Sequence, residues 1–198
     1  MLLHVTSFLD RLLVGVRAGS QWFARAGGVL ILLTVVLVTI EVASRMIVGR
    51  SAVHATELTG YIMAISASWS FAYTLMNKAH IRIDALYLNF PMKVRGMLDL
   101  VALLSLAMFS ILVVNAVFDV LSDSYSGGST ANTPLSTPLW IPQSLWLVGF
   151  VWFSFALGVM SLRAFLGLIN GEADKVQELA GTPTLDEQIE EESQGARS

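Results

Sequence analysis

Cysteine is absent from the 198 residues. That excludes a disulfide framework, a thiolate metal site and a cysteine nucleophile, and it leaves the redox compartment unreadable. Charge is scarce as well: Asp, Glu, Lys and Arg make up 14% of the chain, against about a quarter in ordinary soluble domains. Histidine is limited to His4, His54 and His80. All three fall outside the long apolar stretches, so a bis-histidine haem inside a helical bundle is excluded, and no two have ligand spacing with an acid. No Ser-His-Asp arrangement, P-loop or Rossmann fingerprint is present. These gaps argue against an enzyme, a metal site or a bound cofactor, and no nucleic-acid partner is expected.

What is abundant is apolar surface: 55% of residues are hydrophobic and the mean hydropathy is +0.66. The few charges are also unevenly spread, with none between Arg25 and Glu41, Glu57 and Lys78, Asp99 and Asp119, or Asp123 and Arg163. About 20 apolar residues in a helix cross a hydrocarbon core of about 30 Å. The four gaps therefore predict an all-α membrane protein with four transmembrane helices, at about 27–48, 57–76, 98–121 and 144–169. They form a transmembrane domain over 25–171.

The flanks read differently. Residues 1–24 form an amphipathic N-terminal helix, with Leu2, Val5, Phe8, Leu9, Leu12, Leu13 and Val16 at helical spacing and His4, Asp10, Arg11 and Arg17 elsewhere on the wheel. It is too charged to span and is expected to lie on the membrane or against a partner. It does not resemble a cleavable signal peptide, so the N-terminus is expected to be kept. At the other end, 172–198 is poor in apolar residues and carries Asp186, Glu187, Glu190, Glu191 and Glu192, which predicts a disordered tail. Of the 12 Lys and Arg residues, only Arg45, near the outer end of the first span, and Arg50, just beyond it, fall on one side. The rest alternate onto the opposite side, which makes both termini cytoplasmic.

Several residues stand out against this apolar background. Glu41 and Arg45, four apart, share one face of the first span and can neutralise each other; the pair suits a polar contact with another subunit, or an ion site near the outer end. Glu57 opens the second span, where an acid complements the helix dipole. Trp69 lies in the run "AISASWSFAYTLM", whose small residues and hydroxyls read as a packing face. Between the second and third spans, "NKAHIRIDALY" alternates polar and apolar residues. A bare strand at a membrane edge would leave its backbone unpaired. The better parse carries His80 and Arg82 across the headgroup region and lets Asp84 cap a short interfacial helix that Pro91 terminates. Glu41, Arg45, Glu57, Trp69, His80, Arg82 and Asp84 are together the candidate subunit-interface or lipid-facing residues.

The stretches "EVASRMIVGRSAVHATELTGYIM", "SWSFAYTLMNKAHIRIDALYLNFPMKVRGMLDL" and "STPLWIPQSLWLVGFVWFSFAL", in that order, resemble the small, DctQ-like membrane subunit of tripartite ATP-independent periplasmic (TRAP) transporters. Arg45 stands where the family closes its first span, Glu57 where an acid opens the second, and Ala79 to Leu86 where it carries a "gaxHirvDll" element. The chain departs from the pattern at Met46, often aromatic in the family, and in having "TE" where a tandem acid pair is usual. The resemblance implies a non-catalytic subunit of a sodium-coupled importer of organic acids in the bacterial inner membrane. A periplasmic protein captures the substrate and docks transiently; a large membrane subunit carries it as an elevator; the small subunit binds the large one stably and enlarges its fixed scaffold among the membrane lipids. The reading from another class is a self-sufficient homodimeric exporter that uses Glu41 as a proton-coupled carboxylate. Asp84→Ala is expected to weaken assembly or transport by the complex, measured by co-purification and uptake, while leaving substrate preference unchanged.

Overall fold

The computed structural model describes residues 2–49, 55–78, 90–171 and 179. Within them the chain forms four helices: α1 (Leu2–Val48), α2 (Ala55–Met76), α3 (Met92–Ser126) and α4 (Trp140–Ile169). His80, Arg82 and Asp84, the expected short helix between the second and third spans, and the acidic tail apart from Leu179 lie outside the described residues.

The amphipathic segment and the first span are one continuous helix. α1 has 47 residues, which at 1.5 Å per residue makes it about 70 Å long. Its N-terminal apolar face is used by the chain itself: Leu9 and Val16 are buried in a cluster with Leu75, Met76, Phe153 and Met160. The segment thus packs against α2 and α4.

Three helices contain stretches long and apolar enough to cross a membrane: Thr6–Ile47, Val94–Ser126 and Trp140–Ile169. α2 is not among them, because Ser66, Ser68, Ser70 and Thr74 dilute its hydropathy. It packs against α1 on one side and α4 on another, while α4 meets all three other helices and α3 packs chiefly on α4. The spatial order is therefore α1, α2, α4, α3. Successive helices along the chain run in opposite directions, so the adjacent α2 and α4 are parallel: Ser68 meets Gly149 and Phe71 meets Phe150 and Phe153. The beginning of α1 and the end of α4 lie at one end of the layer, where Asp10 reaches Arg163.

Prolines mark two helix starts. Pro91 is the N-cap of α3, with φ −63° and ψ 151°, and Pro142 sits in the first turn of α4, where its missing N–H leaves no bond unmade. The connection between α3 and α4 closes on itself. Thr130 and Pro138 form an antiparallel bridge, Ala131 N–H donates to Thr137 O at 2.9 Å and Leu139 N–H to Ser129 O at 3.0 Å. Trp140 begins α4 and packs edge-on against Tyr125, with ring centroids 5.9 Å apart.

The tightest seam is between α2 and α4. A Cβ at Gly149 would stand 2.8 Å from the backbone carbonyl carbon of Ser68 and would also strike its hydroxyl, whereas one at Gly158 would meet nothing within 4 Å. Overpacking a close helix contact costs about 1–3 kcal/mol. Gly149→Ala is accordingly expected to lower the thermal midpoint of the purified protein in detergent, followed by circular dichroism. Gly158→Ala, which exchanges glycine for a better helix former at an open position, is expected to leave the midpoint unchanged or raise it.

Candidate functional site

Polar groups concentrate at three levels along the layer. At the end away from the chain termini, Arg45 Nε donates to Glu41 Oε1 at 2.8 Å. The two sides of this pair differ: the Glu41 side chain is 5% exposed and that of Arg45 is 58% exposed. One helical turn brings them together, as the four-residue spacing requires. The buried member is the acid, and the exposed member is the guanidinium that donates to it.

Glu57 does more than complement a helix dipole. Its carboxylate accepts from the Tyr61 hydroxyl at 2.9 Å, one turn further along α2, and from the Thr133 hydroxyl. Thr133 belongs to the closed connection between α3 and α4, so Glu57 ties that loop to the start of α2. The loop is thereby held at the same end of the layer as Glu41 and Arg45.

Halfway along, indoles join three helices. Trp69 Nε1 donates to Leu145 O at 3.0 Å, and Trp152 Nε1 donates to Ser20 Oγ at 3.0 Å. Trp22 stacks on Trp69 at 6.4 Å, and Phe23 meets Trp69 edge-on at 5.2 Å and Trp152 at 5.5 Å. A buried indole needs an acceptor for its N–H, and each of these finds one on a neighbouring helix. Trp69 is half-buried and ties α2 to α4.

At the end bearing the chain termini, Arg163 Nε donates to Asp10 Oδ1 at 2.7 Å across 153 residues of sequence. Arg163 lies six residues before the end of α4 and its side chain is 7% exposed; Asp10 is 55% exposed. Arg17 Nη2 reaches Met76 O, at the last residue of α2, at 3.5 Å. Asp10, Arg17, Lys78 and Arg163 line one cavity with the apolar side chains around it.

Of the seven candidates, then, the structure brings Glu41 to Arg45, Glu57 to the loop, and Trp69 to α4. Sequence reasoning missed the Asp10–Arg163 pair, treating Asp10 as part of a polar helix face and Arg163 as a boundary charge. The available signal was a charge inside an apolar helical run, which demands a partner. Asp99, also read as a boundary, is 2% exposed. Among the described residues no three His, Asp or Glu side chains converge on a point that could hold a metal ion.

Residues 34–167, more than half of the chain, match the model of a family described as "Tripartite ATP-independent periplasmic transporters, DctQ component". No curated protein and no solved structure shows significant similarity to the chain.

The ion pair generates a specific expectation. A hydrogen bond to a charged group contributes about 1.5–3 kcal/mol, and the half-exposed Asp10 places this one at or below the lower limit, because solvent screens it. Asp10→Ala is expected to cost about 1 kcal/mol of stability in thermal unfolding. Asp10→Asn, which keeps an acceptor oxygen, is expected to cost less.

Proposed function

The chain belongs to the DctQ component family of the tripartite ATP-independent periplasmic transporters, and we propose that this small membrane subunit is a non-catalytic scaffold for a large transporting subunit. The complex would be a sodium-coupled, binding-protein-dependent importer of organic acids. The match over residues 34–167 carries this reading. It begins within the second half of α1, takes in α2 and α3, and reaches into the last turn of α4.

The layer has the surfaces such a role needs. The apolar windows of α1 and α3 are each 17% buried within the chain, against 39% for α4. α1 presents Leu32, Val36 and Met46 outward, and α3 presents Val101, Met108 and Leu112. Lipid tails can cover such flanks, but so can the helices of a partner, since helix association in a membrane rests on packing rather than on escape from water. A rigid layer with two apolar flanks can seat a large subunit on one and face lipid on the other. In this reading α2 crosses the membrane as the fourth span, protected by its neighbours, both termini are cytoplasmic, and the inner membrane is the location.

The loop between α3 and α4 would then lie on the periplasmic side with Glu41, Arg45 and Glu57. Its closed backbone and its tie to Glu57 give a docking periplasmic binding protein a preformed surface. His80, Arg82 and Asp84 would brace the cytoplasmic side. Substrate and sodium would be bound by the large subunit.

The full chain, co-expressed with the large subunit from the same source, is expected to co-purify with it in mild detergent in stable proportion. In proteoliposomes the chain alone is expected to transport nothing, with or without a proton gradient. Proton-coupled transport by the chain alone, abolished by Glu41→Gln, would instead establish the exporter reading.

A further inference from the structure

The end of the layer that bears the chain termini holds a cavity of about 340 Å³, in the lower part of the range of small-molecule sites. α1 supplies Asp10, Leu13 and Arg17, α4 supplies Met160 and Arg163, and Lys78 closes the side where α2 stops. Leu179 adds an apolar side chain, and among the described residues the charge there is unbalanced. Asp10 answers Arg163 at 2.7 Å, while Arg17 and Lys78 bring two further cations to the same space. Arg17 spends one donor on Met76 O, and a guanidinium has five.

Lys78 adds a second observation. Its φ is +54°, the left-handed conformation that closes helices and that glycine or asparagine normally occupies. Lysine is a less usual occupant of that position than either. Here the turn that ends α2 carries an ammonium to the rim of the cavity.

We propose that this cavity binds the headgroup of an anionic phospholipid, with its phosphate among Arg17, Lys78 and Arg163 and its glycerol and first acyl carbons over Leu13 and Met160. The two unanswered cations call for an anion, and phosphate oxygens suit a guanidinium and an ammonium together. The apolar floor calls for hydrocarbon, which a free phosphate ion lacks. Basic pockets between helix ends are where anionic headgroups are held in membrane proteins. The inference rests on membrane insertion of the helices, but not on the identity of any partner subunit.

The test uses the full chain alone, so it is independent of assembly with the large subunit. Purified protein is equilibrated in mixed micelles with equal amounts of phosphatidylglycerol and phosphatidylcholine, and retained lipid is counted by native mass spectrometry. Wild-type protein is expected to retain phosphatidylglycerol several-fold over phosphatidylcholine. Lys78→Asn removes the cation while suiting the left-handed backbone, and is expected to lower phosphatidylglycerol retention roughly fivefold without changing phosphatidylcholine retention or the thermal midpoint. Arg17→Gln, which removes a cation from the opposite wall, is expected to act in the same direction. Equal retention of the two lipids by wild type, or undiminished phosphatidylglycerol retention in both variants, overturns the proposal. Stabilisation of delipidated protein by inorganic phosphate to the same extent as by phosphatidylglycerol would reassign the cavity to a free anion and overturn it too.

Discussion

α2 comes closest to α1 and α4 at Ser66 and Ser68, two of the four hydroxyls, with Ser70 and Thr74, that it carries along its second half. Three bond back to their own helix: Ser68 to Ile65 O, Ser70 to Ser66 O and Thr74 to Ser70 O. Ser66 instead crosses to α1 and donates to Gly27 O at 3.1 Å. Unpaired, each would cost several kcal/mol in hydrocarbon. Paired and short, they permit the close approach that bulky side chains would block. Gly27 on α1 and Gly149 on α4 are the complementary concessions, since a Cβ at either would press on Ser66 or Ser68. α2 thus carries its hydroxyls where α1 and α4 approach it most closely.

The two flanking helices follow from this arrangement. α1 and α4 supply the apolar walls, the indoles of Trp69 and Trp152 cross between helices at mid-height, and α3 attaches to α4 through the Ser110–Ser154 hydroxyl pair at 2.6 Å. The exposed halves of α1 and α3 carry the apolar surface that remains. A fold of this shape has flanks rather than a single buried centre, and a membrane or a partner completes it. The charged groups sit at the two ends, where water or headgroups are within reach.

Much of this was legible in advance because charge is so rare in the chain. The four uncharged stretches located four helices, and Glu41 and Arg45 could be paired from their spacing alone, since one turn of helix leaves few alternatives. Bounds were less legible. α3 runs past the apolar limits at both ends, from Met92 to Ser126, because charged and hydroxylated residues at helix ends are tolerated beyond the apolar zone, and α4 starts four residues early, at Trp140. Asp10 and Arg163 could not be paired from sequence: each looked like a normal polar residue of its own helix, and 153 residues separate them. Glu57 looked like a helix-start acid, and its bond to Thr133 depends on how a loop 76 residues away folds back.

The sequence by itself determined that the chain is helical and rich in long apolar segments, where those segments lie, and which family it resembles, because hydropathy and helical periodicity are local properties. Tertiary structure alone decided which helix lies between which. It joined the amphipathic start to the first span, turned that start's apolar face onto α2 and α4, buried Arg163 against Asp10, and brought Arg17 and Lys78 to one cavity. Those outcomes go with close helix crossings at Gly19, Gly27 and Gly149. A glycine in a sequence says that close approach is permitted there; only the packed helices say what approaches.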